Sequence, residues 1–264
     1  MIGIAIVGGA GRMGQVMAHG LVLYPEFDVV ALVDRSPDPS GDGAVWFTTL
    51  EHVDASPVDV VVDFSTPEGV ITSARWCAQH AKALVVGATG LSEEDRAVLK
   101  ELAERTPIVV ASNFSIGAVL AERFAATAAP FFERVEIIEL HHDGKVDAPS
   151  GTAITTARRV ARARQRAGRS TDAEPTLRHT VEGARGASVE GIPVHAVRLP
   201  GLVAHQEVLF GSPGEGLTIR HDSYDRSSFV TGVATVLRHL PSTPGLVEGL
   251  DRFIDGVSGT SGHW

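Results

Sequence analysis

Short, continuous apolar runs alternate with longer segments of helical period as far as residue 111. The run Ile2–Val7, punctuated by glycine, has the pattern of a strand buried on both faces. A helical pattern follows through Val16, Met17, Gly20, Leu21 and Leu23. Phe27–Val33 predicts the second strand, 58–64 the third, Ala83–Val86 the fourth and 107–111 the fifth. Pro67 suits the first turn of a helix running to His80. Ser92 caps another, with Glu93, Glu94 and Asp95 favourably placed in its first turn. Residues 36–43, rich in Pro, Asp, Ser and Gly, predict an exposed loop. This alternation predicts an α/β domain with a doubly wound parallel sheet, its ligands bound beyond the carboxyl ends of the strands.

Past residue 114 the pattern changes. A helix over Ile116–Ala128 leads to a strand at 135–140 and a helix at 155–167. A polar loop at 168–178 comes next. Strand candidates at 193–198, 202–210 and 216–223 then follow with no helix between them, which predicts a second, α+β domain with an antiparallel or mixed sheet. A final helix at 227–240 precedes what reads as a loose tail.

Composition narrows the chemistry. A net charge of −9 argues against nucleic acid or an acidic membrane as partner, so an acidic ligand must be met by local positive charge. The arginines at 158, 159, 162, 164 and 166 accordingly read as a solvated helix face. One cysteine, Cys77, excludes an internal disulfide and a clustered cysteine–zinc site, and no metal is expected. Cys77 sits in an apolar helical pattern and reads as buried and inert. No leader or run of transmembrane length is seen, which predicts a cytoplasmic protein.

Two stretches carry chemistry. Gly8, Gly11 and Gly14 follow the first strand and open a helix, where glycine permits a tight turn, close approach of a pyrophosphate and close helix–strand packing. Asp34 ends the second strand about 20 residues on, the place from which an acid holds a ribose 2′-hydroxyl. Arg35 beside it could stack on adenine or meet a 2′-phosphate, so NADH and NADPH both stay open, with NADH favoured because a carboxylate repels phosphate.

The second stretch is His141-His142-Asp143-Gly144-Lys145-Val146-Asp147-Ala148-Pro149-Ser150-Gly151-Thr152. Histidine can carry and deliver a proton near neutral pH, and lysine is a compact charge suited to a carboxylate. Ser150 fits an N-cap, which leaves the amides of Gly151 and Thr152 at the positive end of a helix dipole. Singly, each feature has an ordinary structural explanation. Together they describe an anion socket with an acid beside it.

With these residues in place the chain resembles the 4-hydroxy-tetrahydrodipicolinate reductase (dihydrodipicolinate reductase) family over nearly its whole length. The resemblance rests on Gly8–Gly14, Asp63-Phe64-Ser65, Gly87-Ala88-Thr89-Gly90, Asn113-Phe114-Ser115 and, above all, Glu139-Leu140-His141-His142 through Lys145 to Ser150-Gly151-Thr152. Gly191-Ile192-Pro193-Val194-His195 and Gly201-Leu202-Val203-Ala204-His205-Gln206 look like its actinobacterial branch. The resemblance implies a Rossmann domain at 1–113, completed by 224–264, and a substrate and oligomerisation domain at 114–223 that builds a homotetramer. It implies His141 as general acid, with Lys145 counted beside it in the catalytic set, and His142, Ser150, Gly151, Thr152 and Thr89 on a small dicarboxylate substrate. Gly8, Gly11, Arg12, Met13, Gly14, Asp34, Arg35, Phe64, Gly87, Ala88, Thr89, Ser112, Asn113 and Phe114 would line NADH or NADPH.

Two positions depart from the family pattern: Ala88 stands where it usually has Thr, and Ser112 where it commonly has Pro. The first removes a hydroxyl near the nicotinamide and is expected to alter cofactor contacts. The second is expected to loosen the hinge between domains. The implied activity is reduction of 4-hydroxy-tetrahydrodipicolinate with loss of water, in diaminopimelate and lysine biosynthesis. Reduction of a different cyclic imine acid, or a non-catalytic dinucleotide sensor, are the alternatives.

Overall fold

The computed structural model of the chain describes residues 1–36, 45–169, 180–240 and 243–257. They divide into two compact units: Met1–Ile116 joined by the chain from Arg226 on, and Gly117–Asp225.

The first unit is built on strands β1 (Ile2–Val7), β2 (Phe27–Val33), β3 (Trp46–Phe47), β4 (Val60–Asp63), β5 (Ala83–Val86), β6 (Ile108–Val110) and β12 (Leu246–Glu248). They form one sheet in the order β12-β6-β5-β4-β1-β2-β3, with every pairing parallel. Each residue of β4 is buried, as expected for a β-branched run covered on both faces. Ala5, Val61, Leu84 and Ile108 pack with Val70, Ala74 and Cys77 of helix α2 (Pro67–His80) and Leu99 of α3 (Glu93–Leu102). Ile4, Ile6, Val62 and Val85 alternate to the opposite face and are equally buried. Helix α1 (Arg12–Leu21) meets α6 (Ser228–His239) so closely that a Cβ on Gly20 would come within 2.5 Å of Val230.

The described part of the tail, 243–257, is not loose. Beyond α6 the chain adds β12 to the edge of the sheet beside β6, then forms α7 (Asp251–Val257). The reason it escapes a reading by pattern is local: three residues bracketed by left-handed Gly245 and Gly249 carry no period.

The second unit holds α4 (Ile116–Ala128), apart from its first residue, and strands β7 (Arg134–His141), β8 (Ala187–Val189), β9 (Ile192–Arg198), β10 (Ala204–Ser212) and β11 (Glu215–Ser223). Their order is β11-β10-β7-β9-β8, with β7 and β9 parallel and the other pairs antiparallel. Val135 and Ile137 of β7, Val194 of β9 and Val208 and Phe210 of β10 pack under Ala153, Ala157, Val160 and Ala161 of helix α5 (Gly151–Arg166).

Three expectations need correction here. Helix α5 starts at Gly151, not 155, as the expected Ser150 N-cap requires: the Ser150 side chain accepts from the Ala153 N–H at 3.2 Å. Strand β10 starts at Ala204 rather than 202. Arg164 is not solvated. It is 5% exposed and donates to the carbonyls of Ala129 (3.2 Å), Phe132 (2.7 Å) and Glu133 (2.9 Å), closing the carboxyl end of α4 and the turn after it. On the rest of the basic face Arg158 pairs with Glu190 and Arg159 with Glu122, while Arg162 and Arg166 are exposed. The loops expected at 36–43 and 168–178 lie outside the described residues but for Ser36, Gly168 and Arg169.

Candidate active site

In the first unit the strand order reverses between β1 and β4, and the turns after these strands lie side by side. The Phe64 N–H donates to the Val7 carbonyl at 3.0 Å. Gly8 has φ +79°, and a Cβ there would sit 3.0–3.1 Å from the Phe64–Ser65 backbone. Gly14 is closer still: its Cβ would stand 2.1 Å from the Gly8 carbonyl oxygen. Both glycines are therefore fixed by backbone approach. Helix α1 has Gly11 as its N-cap, with no side-chain cap and no acid in its first turn, where Arg12 and Met13 lie. Its positive end is uncompensated within its own segment, which suits the pyrophosphate of a dinucleotide.

Asp34 lies beside this turn and braces it. One carboxylate oxygen accepts from the Ala10 N–H at 3.2 Å, the other from the Ser36 N–H at 3.1 Å. Arg35 is exposed. Gly87, Ala88 and Thr89 follow β5, and Ser112, Asn113 and Phe114 follow β6, at the same edge of the sheet. Thr89 and Ser112 are exposed and Ala88 is buried. Phe114 is 1% exposed, its ring edge-on to Phe64 at 5.9 Å, so its side chain belongs to the core beneath the edge.

Asp63 ends β4 and is wholly buried. It accepts from the Ser65 N–H (2.8 Å), the Ser65 hydroxyl (2.6 Å) and the Ser73 hydroxyl (2.6 Å), which ties the Phe64 turn to α2. Burial pushes its carboxyl above the usual range despite these donors. Burial likewise raises the thiol of Cys77 beside it, the inert state expected.

In the second unit β7 carries Val135, Ile137, Glu139 and His141 on one face by its period of two. The first two enter the core under α5; the last two continue that face towards the start of the helix. The His141 imidazole Nδ1 lies 2.5 Å from Glu139 Oε2. Arg198 of β9 grips the same carboxylate with both terminal nitrogens, at 2.9 and 2.7 Å, and Glu139 Oε1 also accepts from the Ser150 N–H at 3.2 Å. Arg198 further donates to the Asp147 carbonyl at 2.7 Å, and the Asp147 carboxylate takes the Lys145 ammonium at 2.6 Å. One network thus joins His141, Lys145 and Ser150. The hydrogen bond from Lys145 holds the Asp147 carboxyl below its ordinary range.

Gly151 and Thr152 occupy the first turn of α5, which has no acidic residue. A Cβ on Gly151 would meet no atom of the described residues within 4 Å, so neither backbone strain nor packing among them requires glycine there. His142 is half-buried and its backbone carbonyl accepts from the Lys145 N–H at 3.2 Å. Gly87 differs from Gly151: its Cβ would lie 2.0 Å from the Phe64 ring, and packing alone demands glycine. Thr89 belongs to the first unit, apart in sequence from the Ser150 socket.

Reading by sequence missed the parts played here by Glu139, Arg198 and Asp147. A signal existed for the first: a glutamate in an apolar strand, two residues before a histidine, faces the same side. None existed for Arg198, whose partner is 59 positions away and is set by the register of β7 and β9.

A parallel sheet with a glycine turn at its switch point, and a second unit presenting a histidine near a helix start that has no acidic residue in its first turn, define a two-unit Rossmann-type oxidoreductase. Comparison with known proteins gives the family. Residues 2–114 match the family described as dihydrodipicolinate reductase, N-terminus, and 117–254 its C-terminus. The chain belongs to the dihydrodipicolinate reductase family. It is 49% identical over 257 residues to the 4-hydroxy-tetrahydrodipicolinate reductase of Cutibacterium acnes (96% of this chain, 99% of that one). It is 45% identical over 255 residues to that of Streptomyces coelicolor (96% and 97%). Among solved structures, a dipicolinate-bound dihydrodipicolinate reductase from Paenisporosarcina sp. TG-14 superposes with TM-score 0.86 at 41% identity, covering 96% of this chain and 99% of that one.

Proposed function

We propose that the chain reduces 4-hydroxy-tetrahydrodipicolinate to tetrahydrodipicolinate, with loss of water, using NADH or NADPH in diaminopimelate and lysine biosynthesis. The observation that carries this reading is the junction of His141 to the open helix start at Ser150–Gly151 through a single buried carboxylate. It ties an imidazole to a helix start within one unit, which supports a reading of proton donor and anion socket for the reduction of a ring dicarboxylate.

Gly8, Gly11, Arg12, Met13 and Gly14 would hold the pyrophosphate at the start of α1, and Asp34 the ribose, with Arg35 at the adenine side. Phe64, Gly87, Ala88, Thr89, Ser112 and Asn113 would line the nicotinamide side, while Phe114 supports that edge from the core. When bound, NADH or NADPH would supply hydride to C4 of the unsaturated ring that forms once the 4-hydroxyl has left as water. His142 and Lys145 orient and neutralise the substrate; Ser150, Gly151, Thr152 and Thr89 hold its carboxylates. His141 protonates the ring carbon next to C4 as the electrons move towards the imine.

Beyond this, the face of the second sheet opposite α5 presents half-buried Ile138, Leu140, Val197 and Leu209. Burial of that face in a homotetramer is the assembly proposed. No helix among the described residues is long and apolar enough to cross a membrane, in keeping with a cytoplasmic enzyme.

The test is a coupled assay in which aspartate semialdehyde and pyruvate are condensed by the preceding synthase and NADH or NADPH oxidation is followed. Synthase-dependent oxidation is expected. Folded protein that binds either cofactor but shows no such oxidation would overturn the assignment in favour of another imine acid.

A further inference from the structure

Glu139 is inaccessible to water, and an ionised carboxylate in such a place persists only when its partners replace its hydration. Four N–H groups do so: His141 Nδ1, two from Arg198 and the Ser150 amide. Burial would raise this carboxyl, yet the hydrogen bonds and positive charge around it prevail and hold it below the ordinary glutamate range. An ionised carboxylate only accepts. The nitrogen of His141 facing it must therefore carry a hydrogen, which leaves Nε2 as the one ring nitrogen able to gain and give a proton. Across the sheet, Glu139 and His141 are opposed in register on β10 by Gln206 and Ala204, neither ionisable.

We propose that Glu139, braced by Arg198, is a positioning residue for the reaction: it fixes the tautomer of His141 so that Nε2 delivers the proton. This rests on the reading of His141 as the acid. It is distinct from a clamp that merely ties β7, β9 and α5 together, and the chemistry of the amide separates the two. In Glu139→Gln one oxygen remains for Arg198 and the NH₂ group faces the ring, where it favours the tautomer with Nδ1 as acceptor and Nε2 protonated.

The experiment is a double-mutant cycle on kcat with wild type, Glu139→Gln, His141→Gln and the double variant, each checked for thermal stability, NADH affinity and dipicolinate affinity. Glu139→Gln is expected to lower kcat by at least about tenfold and by up to about 10⁴-fold, the loss seen when a histidine-orienting carboxylate becomes an amide, with dipicolinate affinity little changed from wild type. In the His141→Gln background the same change is expected to cost almost nothing. ¹⁵N spectra should show His141 protonated on Nδ1 in the wild type at high pH, and on Nε2 in Glu139→Gln. Should Glu139→Gln fail to fold, Glu139→Asp replaces it in the cycle, with partial activity expected. Equal losses in both backgrounds, or an unchanged ¹⁵N pattern, overturn the positioning role while leaving His141 as acid. An unchanged kcat in His141→Gln overturns instead the reading on which it rests.

Discussion

The ring of Phe64 fills the space in front of Gly87: a Cβ at position 87 would lie 2.0 Å from Phe64 Cε1. Since the Gly87 N–H also donates to the Asp63 carbonyl at 2.8 Å, the turn after β5 cannot retreat without breaking its tie to β4. Gly87→Ala is therefore expected to destabilise the first unit by about 1–3 kcal/mol, the usual cost of overpacking, and to raise KM for the nicotinamide cofactor. Adding Phe64→Leu should restore much of the stability. Denaturant unfolding of the single and double variants checks this, and a fully stable Gly87→Ala contradicts it.

Gly151 makes the opposite prediction, because no atom of the described residues stands where its side chain would go. Gly151→Ala should fold with stability equal to or up to about 1 kcal/mol above wild type, alanine being the better helix former. Dipicolinate affinity should fall at least about tenfold as the methyl group enters the socket. Lys145→Ala should also weaken dipicolinate, by about 2–5 kcal/mol if that charge pair is desolvated. Calorimetric titration decides both, and unchanged affinity removes the residue concerned from the site.

Arg164 teaches what a charge run conceals. Its spacing within 158–166 looks like the rest of a solvated face, yet it alone turns inward to three backbone carbonyls. Arg164→Met leaves those acceptors buried and is expected to cost about 2–4 kcal/mol; Arg162→Met on the exposed face should stay within about 0.5 kcal/mol. Urea midpoints of the two variants provide the comparison.

Glu139 and Asp63 should give pH dependences of opposite sign. Burial acts to raise the folded Glu139 carboxyl, but its partners hold it below the ordinary 4.5, so its stabilisation is complete above that pH and lost as pH falls through the folded value. Burial raises folded Asp63 above the ordinary 3.8, so stability there declines as pH rises from 3.8 through the folded value. In urea unfolding from about pH 3 to about pH 8, Asp63→Asn should gain on wild type as pH rises. The deficit of Glu139→Gln should shrink as pH falls. Parallel curves would contradict both assignments.

Much of this architecture is legible from residue pattern alone, and the exceptions have physical reasons. Continuous apolar runs announce β1, β2, β4, β5 and β6 because a parallel sheet covered on both faces tolerates little else. The glycine turn and the stretch from His141 to Thr152 are legible because their parts are contiguous. By contrast, β3, β8 and β12 are two or three residues long and exist through pairing, which no local pattern encodes. The same holds at the site: His141 and Ser150 could be read separately, but the Glu139–Arg198 pair that unites them depends on the register between two strands.

The proposed function turns on reduction at C4 of the ring. Synthase-coupled turnover with nicotinamide cofactor deuterated at both C4 positions, followed by mass spectrometry and NMR of the product, tests it most directly. One deuterium per tetrahydrodipicolinate is expected, carried on C4. Product without deuterium, or with it on another ring carbon, would contradict it.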